Sequence, residues 1–430
     1  MRKLLLLGLL LSITSFLFSQ RITKVINVKK VQKIEQVLSA DDMEGRKAFT
    51  PGAERAASFI ANEFKKAGLQ KYNGSNSFLQ EFAMIQPKFI SATATVDGVD
   101  FPAEKIFVVT TQAQLTVTNL SGYGKVSVKK ENNLTAVARE LIGRNENLIV
   151  TVDTSLAANF SKLSFLKRNL FSTDKSVIFL LTTKEPTTFS IEVKHEIKEA
   201  KLMNVAGILP GKSLKNEYVI FSAHYDHLGV GKPNAKQDSI FNGANDDAAG
   251  TTAVIMLARY FARQKNNERT LVFAAFTAEE SGGYGATYFS KQFDPAKVMA
   301  MFNIEMIGTE SKWGTNSAYI TGYEKTNMGE ILQKNLNGTP FTFHPDPYPE
   351  QKLFYRSDNA TLARLGVPAH TISTSKMDSE KYYHTQEDEI ETLDMKNMTE
   401  IIKAIALSSR SIISGRDTPT RVVTDKLESK

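Results

Sequence analysis

Residues 221–308 contain four short motifs that decide the fold: FSAHYDHLG from Phe221, NGANDDAAGTTAV from Asn242, LVFAAFTAEESGGYGA from Leu271 and MFNIEMIG from Met301. Three of them are apolar runs that end in charged residues, and the second is a polar loop before an apolar helix. A buried strand that ends in His, Asp or Glu carries costly polar groups to one edge of a sheet. Such a cluster, with little Lys or Arg nearby, is typical of a metal-cation site. The stretch therefore predicts a metal site of the hydrolytic kind at the edge of a sheet.

Strand-like and helix-like segments alternate from Lys201 onward. EYVIFSA, TLVFAAF, VMAMFNI, SAYIT and AHTIS are candidate strands, and Thr251–Arg263 is a candidate helix with one apolar face. Such alternation predicts the α/β class, with a mostly parallel central sheet flanked by helices on both faces. Ligands of these sheets bind at the carboxyl ends of the strands, where this sequence places its charged residues.

The length of 430 residues predicts more than one domain. Short β-type runs between polar turns replace the helical pattern in the middle of the chain. We predict a signal peptide over residues 1–19, an N-terminal part of the catalytic domain over 20–82, a β-rich inserted domain over 83–199, the catalytic domain over 200–414 and a flexible tail over 415–430.

The first residues predict export. Arg2 and Lys3 precede an apolar run over residues 4–18, which is shorter than the ~20 residues of a membrane-spanning helix. We therefore expect a periplasmic or extracellular protein with no membrane insertion after cleavage of the signal peptide.

The chain has no cysteine, so a metal must be held by His, Asp or Glu. The net charge of +7 is mild and is not concentrated in one stripe, which gives no support to nucleic-acid binding.

His224-Tyr225-Asp226 stands at a predicted strand end. Alternate residues of a strand share one side, so Asp226 can accept the second ring N–H of His224 and orient it as a ligand. A surface His–Asp pair is the alternative. His227 is expected to point the other way.

In Asn245-Asp246-Asp247, before the apolar helix, one Asp is enough for helix capping; the second suggests a carboxylate aimed inward.

Glu279-Glu280 follows a strongly apolar strand. Neighbouring side chains diverge at a strand end, so one carboxylate can hold a metal while the other takes a proton from water. An exposed acidic turn is the alternative. Glu305 ends the next strand, where an ordinary charged terminus is equally compatible, and His384 lies far along the chain in Tyr383-His384-Thr385.

The ordered set AHYDHLG, GANDDAAGTTAV, FTAEESGGYGA, NIEMIG, RSDN and YYHTQEDEIETLD resembles the M28 family of metallopeptidases, the di-zinc aminopeptidases. The likeness covers residues 35–82 and 200–412, and the segment between is similar in position to the protease-associated insertion of some members. The resemblance implies a zinc-exopeptidase-like fold, two Zn²⁺ ions and hydrolysis of N-terminal residues from peptide substrates.

The resemblance also implies a role for each matching residue. Its metal ligands are His224, Asp246 (bridging both ions), Glu280, Glu305 and His384. Glu279 corresponds to the general base and Tyr383 to a donor toward the developing oxyanion, while Asp226 and Asp247 stand behind the ligands. The peptide bond after the bridging Asp is often cis in the family. Many members carry Asp where this chain has Glu305.

Two other functions remain open at this point. Glutaminyl cyclases share the architecture with a single zinc, and some proteins with this fold bind partners without catalysis. Every position that corresponds to a metal ligand of the family holds a residue that can bind a metal here, which argues against the non-catalytic alternative. The sequence predicts neither the preferred side chain nor the oligomeric state.

Overall fold

The computed structural model describes residues 22–72 and 75–428, so the predicted signal peptide lies outside the described residues. The chain divides into two compact units. The first comprises the described residues up to Glu81 together with Leu202–Leu427, and the second comprises Phe82–Lys201 with the end of the chain. Where the chain is described, no helix is both long and apolar enough to cross a bilayer.

The strands, numbered in chain order, include two long ones that enter both units. They are β1 Gln70–Lys71, β2 Leu79–Val96, β3 Val99–Asp100, β4 Ile106–Val109, β5 Gln114–Thr118, β6 Gly124–Val128, β7 Leu148–Val152, β8 Val177–Leu181, β9 Phe189–Leu209, β10 Leu214–His224, β11 Gly229–Val230, β12 Ile240–Phe241, β13 Arg269–Phe276, β14 Val298–Ile304, β15 Ser317–Ile320, β16 Thr342–Pro345 and β17 Ala369–Ser373.

The α-helices range from one turn to more than four turns. They are α1 Val28–Leu38, α2 Pro51–Ala67, α3 Leu134–Gly143, α4 Ala157–Phe160, α5 Ala249–Gln264, α6 Tyr284–Ser290, α7 Met328–Asn335, α8 Asn359–Ala363, α9 Met395–Ser408 and α10 Arg410–Ile413. α2 ends at Ala67, because Gly68 adopts φ +82° and its N–H caps the last turn.

The sheet of the first unit has the strand order β16-β15-β17-β14-β10-β13-β9. Strands β17, β14, β10 and β13 are mutually parallel, and the antiparallel pairs lie toward the two sides, β15 with β17 and β13 with β9. The predicted α/β architecture with a mostly parallel centre is therefore confirmed. The carboxyl ends of β10, β13 and β14 lie at one edge.

Alternating side chains of the central strands enter two different cores. Phe221 of β10 packs with α1, α2, α5 and α9, and its ring stacks on Phe273 and Phe302 at 5.6 and 4.9 Å between centroids. Ile220 faces the other way, toward α6 and α8. Both faces of the sheet are buried, which explains why these strands read as continuous apolar runs.

The second unit contains a four-stranded sheet in the order β4-β8-β7-β6. β6, β7 and β8 are parallel, whereas β4 is antiparallel to β8. Helix α3 and the segment around Leu163 cover one face, and the other face packs against side chains of β5 and β9.

The C-terminal segment differs from the flexible tail that we expected from residue 415. Arg269 donates hydrogen bonds to the carbonyl of Asp417 and the hydroxyl of Thr418 at 2.9 and 2.6 Å. Val422 is buried, and its N–H bonds the carbonyl of Gly366 at 3.1 Å. These contacts could not be predicted from the polar composition of the segment, because their partners are distant in sequence.

Candidate metal centre

Three parallel strands deliver the predicted site residues to one edge of the sheet. β10 ends at His224, β13 is followed by Glu279 and Glu280, and β14 is followed by Glu305. Parallel strands end on the same side, so these side chains meet there.

A first group of candidate ligands combines His224, Asp246 and Glu305. His224 Nε2 lies 3.3 Å from Asp246 Oδ1. One potential ligand atom from each residue falls within 4.8 Å of the others, and the three come from separate segments of the chain.

A second group forms around the other oxygen of the same aspartate. His384 Nε2 lies 3.3 Å from Asp246 Oδ2 and 3.2 Å from Glu280 Oε1. The structure therefore brings all five predicted ligands together, with one carboxylate oxygen of Asp246 facing each histidine.

His227 belongs to this second group, contrary to the expectation that it points away. Its Nδ1 lies 2.9 Å from Glu280 Oε1 and 3.9 Å from Asp246 Oδ2. The reason is local: β10 ends at His224, so the alternation of an extended strand does not continue to His227.

The contact between His224 and Asp226 also differs from the prediction. His224 Nδ1 lies 3.1 Å from the backbone carbonyl of Asp226 and 3.8 Å from its carboxylate. The carboxylate instead accepts the backbone N–H of Glu279 at 3.0 Å. The ring of His224 is thus oriented by main chain, and Asp226 joins two strand ends.

The loop that presents Asp246 is held by a residue that sequence reasoning missed. The carboxylate of Asp388 accepts the N–H groups of Asn245 and Asp246 at 2.8 and 3.0 Å. Asp388 lies in an acidic run, TQEDEIE, and nothing in that run distinguishes it from exposed neighbours.

The peptide bond between Asp246 and Asp247 is cis. Asp247 does not enter the ligand groups: its Oδ1 accepts the N–H of Gly250 at 2.9 Å and of Met306 at 3.1 Å. A Cβ at Gly250 would overlap the Asp247 carboxylate and the carbonyl of Ile304, so only glycine allows this close approach.

Arg46 is a second residue that sequence reasoning missed. Its guanidinium group is fully buried and donates to four backbone carbonyls, two of which flank the candidate ligands: Tyr225 at 2.7 Å and Gly243 at 2.8 Å. The other two are Leu38 at 2.6 Å and Asn242 at 2.5 Å. The feature of the sequence that could have pointed to Arg46 is the Glu-Gly-Arg stretch. In the structure it forms a turn in which Glu44, Gly45 and Arg46 all have positive φ.

Three of the candidate ligands, Asp246, Glu280 and Glu305, line a cleft together with Glu279 and Tyr383. The ring of Tyr383 stacks on that of His384 with 3.9 Å between centroids. Hydroxyl groups of Ser and Thr residues, among them Ser357 and Ser373, and apolar side chains such as Leu353 and Met377 also line the cleft.

The electrostatics of the site show an excess of carboxylates. Burial raises the pKa of Glu279 and Asp358, the latter to about 8; His224 opposes the shift, and repulsion from other carboxylates adds to it. Burial also raises the pKa of Glu280, but its close contacts with His227 and His384 outweigh this effect and lower that pKa to about 2. Of the described residues lining the cleft, the only basic one is Arg356.

The residues present fit divalent cations. His224 Nε2 and His384 Nε2 are buried and face carboxylate oxygens at 3.2–3.3 Å, yet they have no hydrogen-bond partner among the described residues. Imidazole and carboxylate donors converging in this way suit zinc. A cation there also offsets the repulsion among the buried carboxylates.

Comparison with known proteins agrees with this geometry. Residues 204–408 match the model of peptidase family M28. Leucine aminopeptidase 1 of Ajellomyces dermatitidis is 30% identical over 216 residues, which cover 46% of this chain and 53% of that protein. Leucine aminopeptidase 1 of Penicillium rubens is 30% identical over 211 residues, covering 45% and 52%. The chain therefore spans about half the length of these relatives.

Solved structures share the fold along most of the chain. An aminopeptidase from Aneurinibacillus sp. strain AM-1 aligns with a TM-score of 0.53 at 18% identity, covering 95% of this chain and 98% of that one. A zinc aminopeptidase from Bacillus subtilis aligns with a TM-score of 0.54 at 16% identity, covering 91% and 97%. Residues 204–408, which contain every candidate ligand, are thus the part of the chain that is similar to peptidase family M28.

Proposed function

We propose that the protein is an exported two-zinc aminopeptidase that removes N-terminal residues from peptides. The observation that carries the proposal is the sharing of Asp246: one oxygen faces His224 and the other faces His384, so two ligand groups meet at one carboxylate. The relatives named leucine aminopeptidase favour this activity.

The proposed ligands divide between two ions. His224, Asp246 and Glu305 would hold one ion, and Asp246, Glu280 and His384 would hold the other. Zinc, when bound, supplies Lewis acidity that lowers the pKa of a water ligand from ~15.7 toward ~7.

Three residues of the chain carry the proton and charge movements. Glu279 takes a proton from water in the cleft and passes it to the leaving amine; burial raises the pKa of its carboxyl group, which makes the carboxylate a stronger base. Burial also raises the pKa of Tyr383, so its hydroxyl stays protonated and donates toward the negative charge that develops on the carbonyl oxygen. In this proposal the free N-terminal ammonium group of the substrate binds near Glu279 and Glu305.

The test uses the purified protein, stripped of metal with a chelator and titrated with zinc. Two equivalents of zinc per chain and hydrolysis of aminoacyl-arylamides, with no hydrolysis of the N-acetylated forms, support the proposal. One equivalent of zinc with ammonia release from N-terminal glutaminyl peptides indicates a cyclase instead. Zinc binding without either activity indicates a binding protein. Export is tested by determining the first residue of the mature protein, because export by the predicted signal peptide includes its cleavage.

A further inference from the structure

The segment that follows β10 contacts both residues of the Glu279-Glu280 pair. Asp226 accepts the backbone N–H of Glu279 at 3.0 Å, and His227 Nδ1 lies 2.9 Å from Oε1 of Glu280. The imidazole of His227 is buried, and its Nε2 has no hydrogen-bond partner among the described residues. The roles proposed above for the five ligands leave this histidine without a function.

Distances distinguish a ligand from a hydrogen-bond donor. Neighbouring ligands of a tetrahedral zinc ion with bonds of ~2.0–2.2 Å lie ~3.3–3.6 Å apart. The spacings of His384 Nε2 to Asp246 and Glu280, 3.3 and 3.2 Å, lie at the lower end of that range and just below it. The spacings of His227 Nδ1, 2.9 Å to Glu280 and 3.9 Å to Asp246, lie farther outside that range. The shorter one is that of an N–H···O bond to a carboxylate.

The ring of His227 is also fixed on its other side. Gly243 has φ +54°, and a Cβ at this position would lie 2.5 Å from Cδ2 and 2.6 Å from Cγ of His227. The imidazole therefore occupies the space next to Gly243 that any side chain would fill. Its position against Glu280 is set by packing as well as by the hydrogen bond.

We propose that His227 is a positioning residue that donates its Nδ1–H to Glu280 and holds that carboxylate at the second zinc ion. The inference rests on the proposed two-zinc site. Glu279 and Glu280 are adjacent and chemically identical, and a glutamate side chain loses rotamer entropy when it is ordered. A separate partner for each residue, Asp226 for Glu279 and His227 for Glu280, keeps their roles apart.

The variants form a matched pair. In His227→Asn the amide nitrogen takes the place of Nδ1 and the donor is retained, whereas in His227→Gln it takes the place of Nε2 and the donor to Glu280 is lost. His195→Gln is the control, because His195 is a buried imidazole of the second unit. Zinc affinities of the full chain are measured by competition with a chromophoric chelator, alongside stoichiometry and thermal unfolding.

We expect His227→Gln to weaken one of the two zinc ions by ~10–100-fold and to leave the other unchanged, as for other residues that orient metal ligands. His227→Asn and His195→Gln should stay close to the wild type. Equal losses in both His227 variants, or no loss in either, contradict the proposal.

A measurement on the zinc-loaded wild type does not depend on how the variants fold. Imidazole ¹⁵N chemical shifts report which nitrogen of each of the six histidines carries a proton. A protonated Nδ1 on His227 supports donation to Glu280, and an unprotonated or zinc-bound Nδ1 overturns it. Because the readouts are zinc affinity and tautomer, an enzyme that binds two zinc ions but lacks aminopeptidase activity refutes the proposed function and still tests this inference.

Discussion

The carboxylate of Asp226 accepts a hydrogen bond from the backbone N–H of Glu279 at 3.0 Å. The bond joins the residues that follow two neighbouring parallel strands, β10 and β13. It orients the backbone that carries the proposed general base, while the backbone carbonyl of Asp226 lies 3.1 Å from Nδ1 of His224. One residue thus supports a proposed ligand and the proposed base through different atoms.

We expect Asp226→Ala to lower kcat by ~10–100-fold because the N–H of Glu279 loses its acceptor. Asp226→Asn keeps an oxygen at that place and should retain most of the activity. Steady-state kinetics with a zinc assay on both variants provide the measurement. If Asn is as impaired as Ala, the charge of Asp226 matters more than its hydrogen bond.

Glu279→Gln should keep its zinc and lose ~10²–10⁴-fold in kcat, because the amide cannot take the proton from water. Its neighbour supplies the contrast: Glu280→Gln should lose zinc affinity. Zinc stoichiometry and turnover are measured on both variants. Full activity of Glu279→Gln would remove the assignment of the base.

Arg46→Leu should lower the free energy of unfolding by ~3 kcal/mol or more, because buried carbonyls lose their donors at ~1–3 kcal/mol each. Arg46→Lys should recover part of this loss. Urea unfolding monitored by circular dichroism gives the values. The control is Arg55→Leu, since Arg55 is partly exposed and pairs with Glu44 on the surface. A similar loss in both leucine variants would show that the buried contacts contribute little.

Glu35 should make stability pH-dependent. Burial raises its pKa from 4.5 to about 8, although Thr252 and Arg46 oppose the shift and Asp388 adds to it. The native state therefore binds the proton more tightly than the unfolded state, and stability falls as the pH rises from about 4.5 to about 8.

Glu35→Gln should remove this slope, which is at most ~1.4 kcal/mol per pH unit. Urea unfolding between pH 5 and pH 9 compares the variant with the wild type and with Glu54→Gln, in which the changed residue is exposed on α2. If the free energy of unfolding changed with pH in the same way in the wild type and in Glu35→Gln, Glu35 would be charged over the whole range from pH 5 to pH 9.

The apolar runs predicted the sheet correctly because burial on both faces affects every residue of a strand. Continuous burial of β13 and the alternation of its side chains between two cores are local properties of eight consecutive residues. The edge that carries the site could be predicted for the same reason, since parallel strands end together. The packed C-terminal segment could not, because its contacts depend on Arg269 and Gly366, far away in the chain.

The sequence by itself determined the α/β class and the edge of the sheet that carries the site, and its resemblance to the M28 family pointed to the five side chains that meet there. Only the tertiary structure decided how those side chains are supported: Arg46 and Asp388 reach the ligand loop from opposite ends of the chain, and His227 turns toward Glu280 once β10 has ended. The physical reason is range. The burial and periodicity of a strand depend on neighbouring residues. A buried hydrogen bond between distant segments depends on where the helices and strands of both segments end.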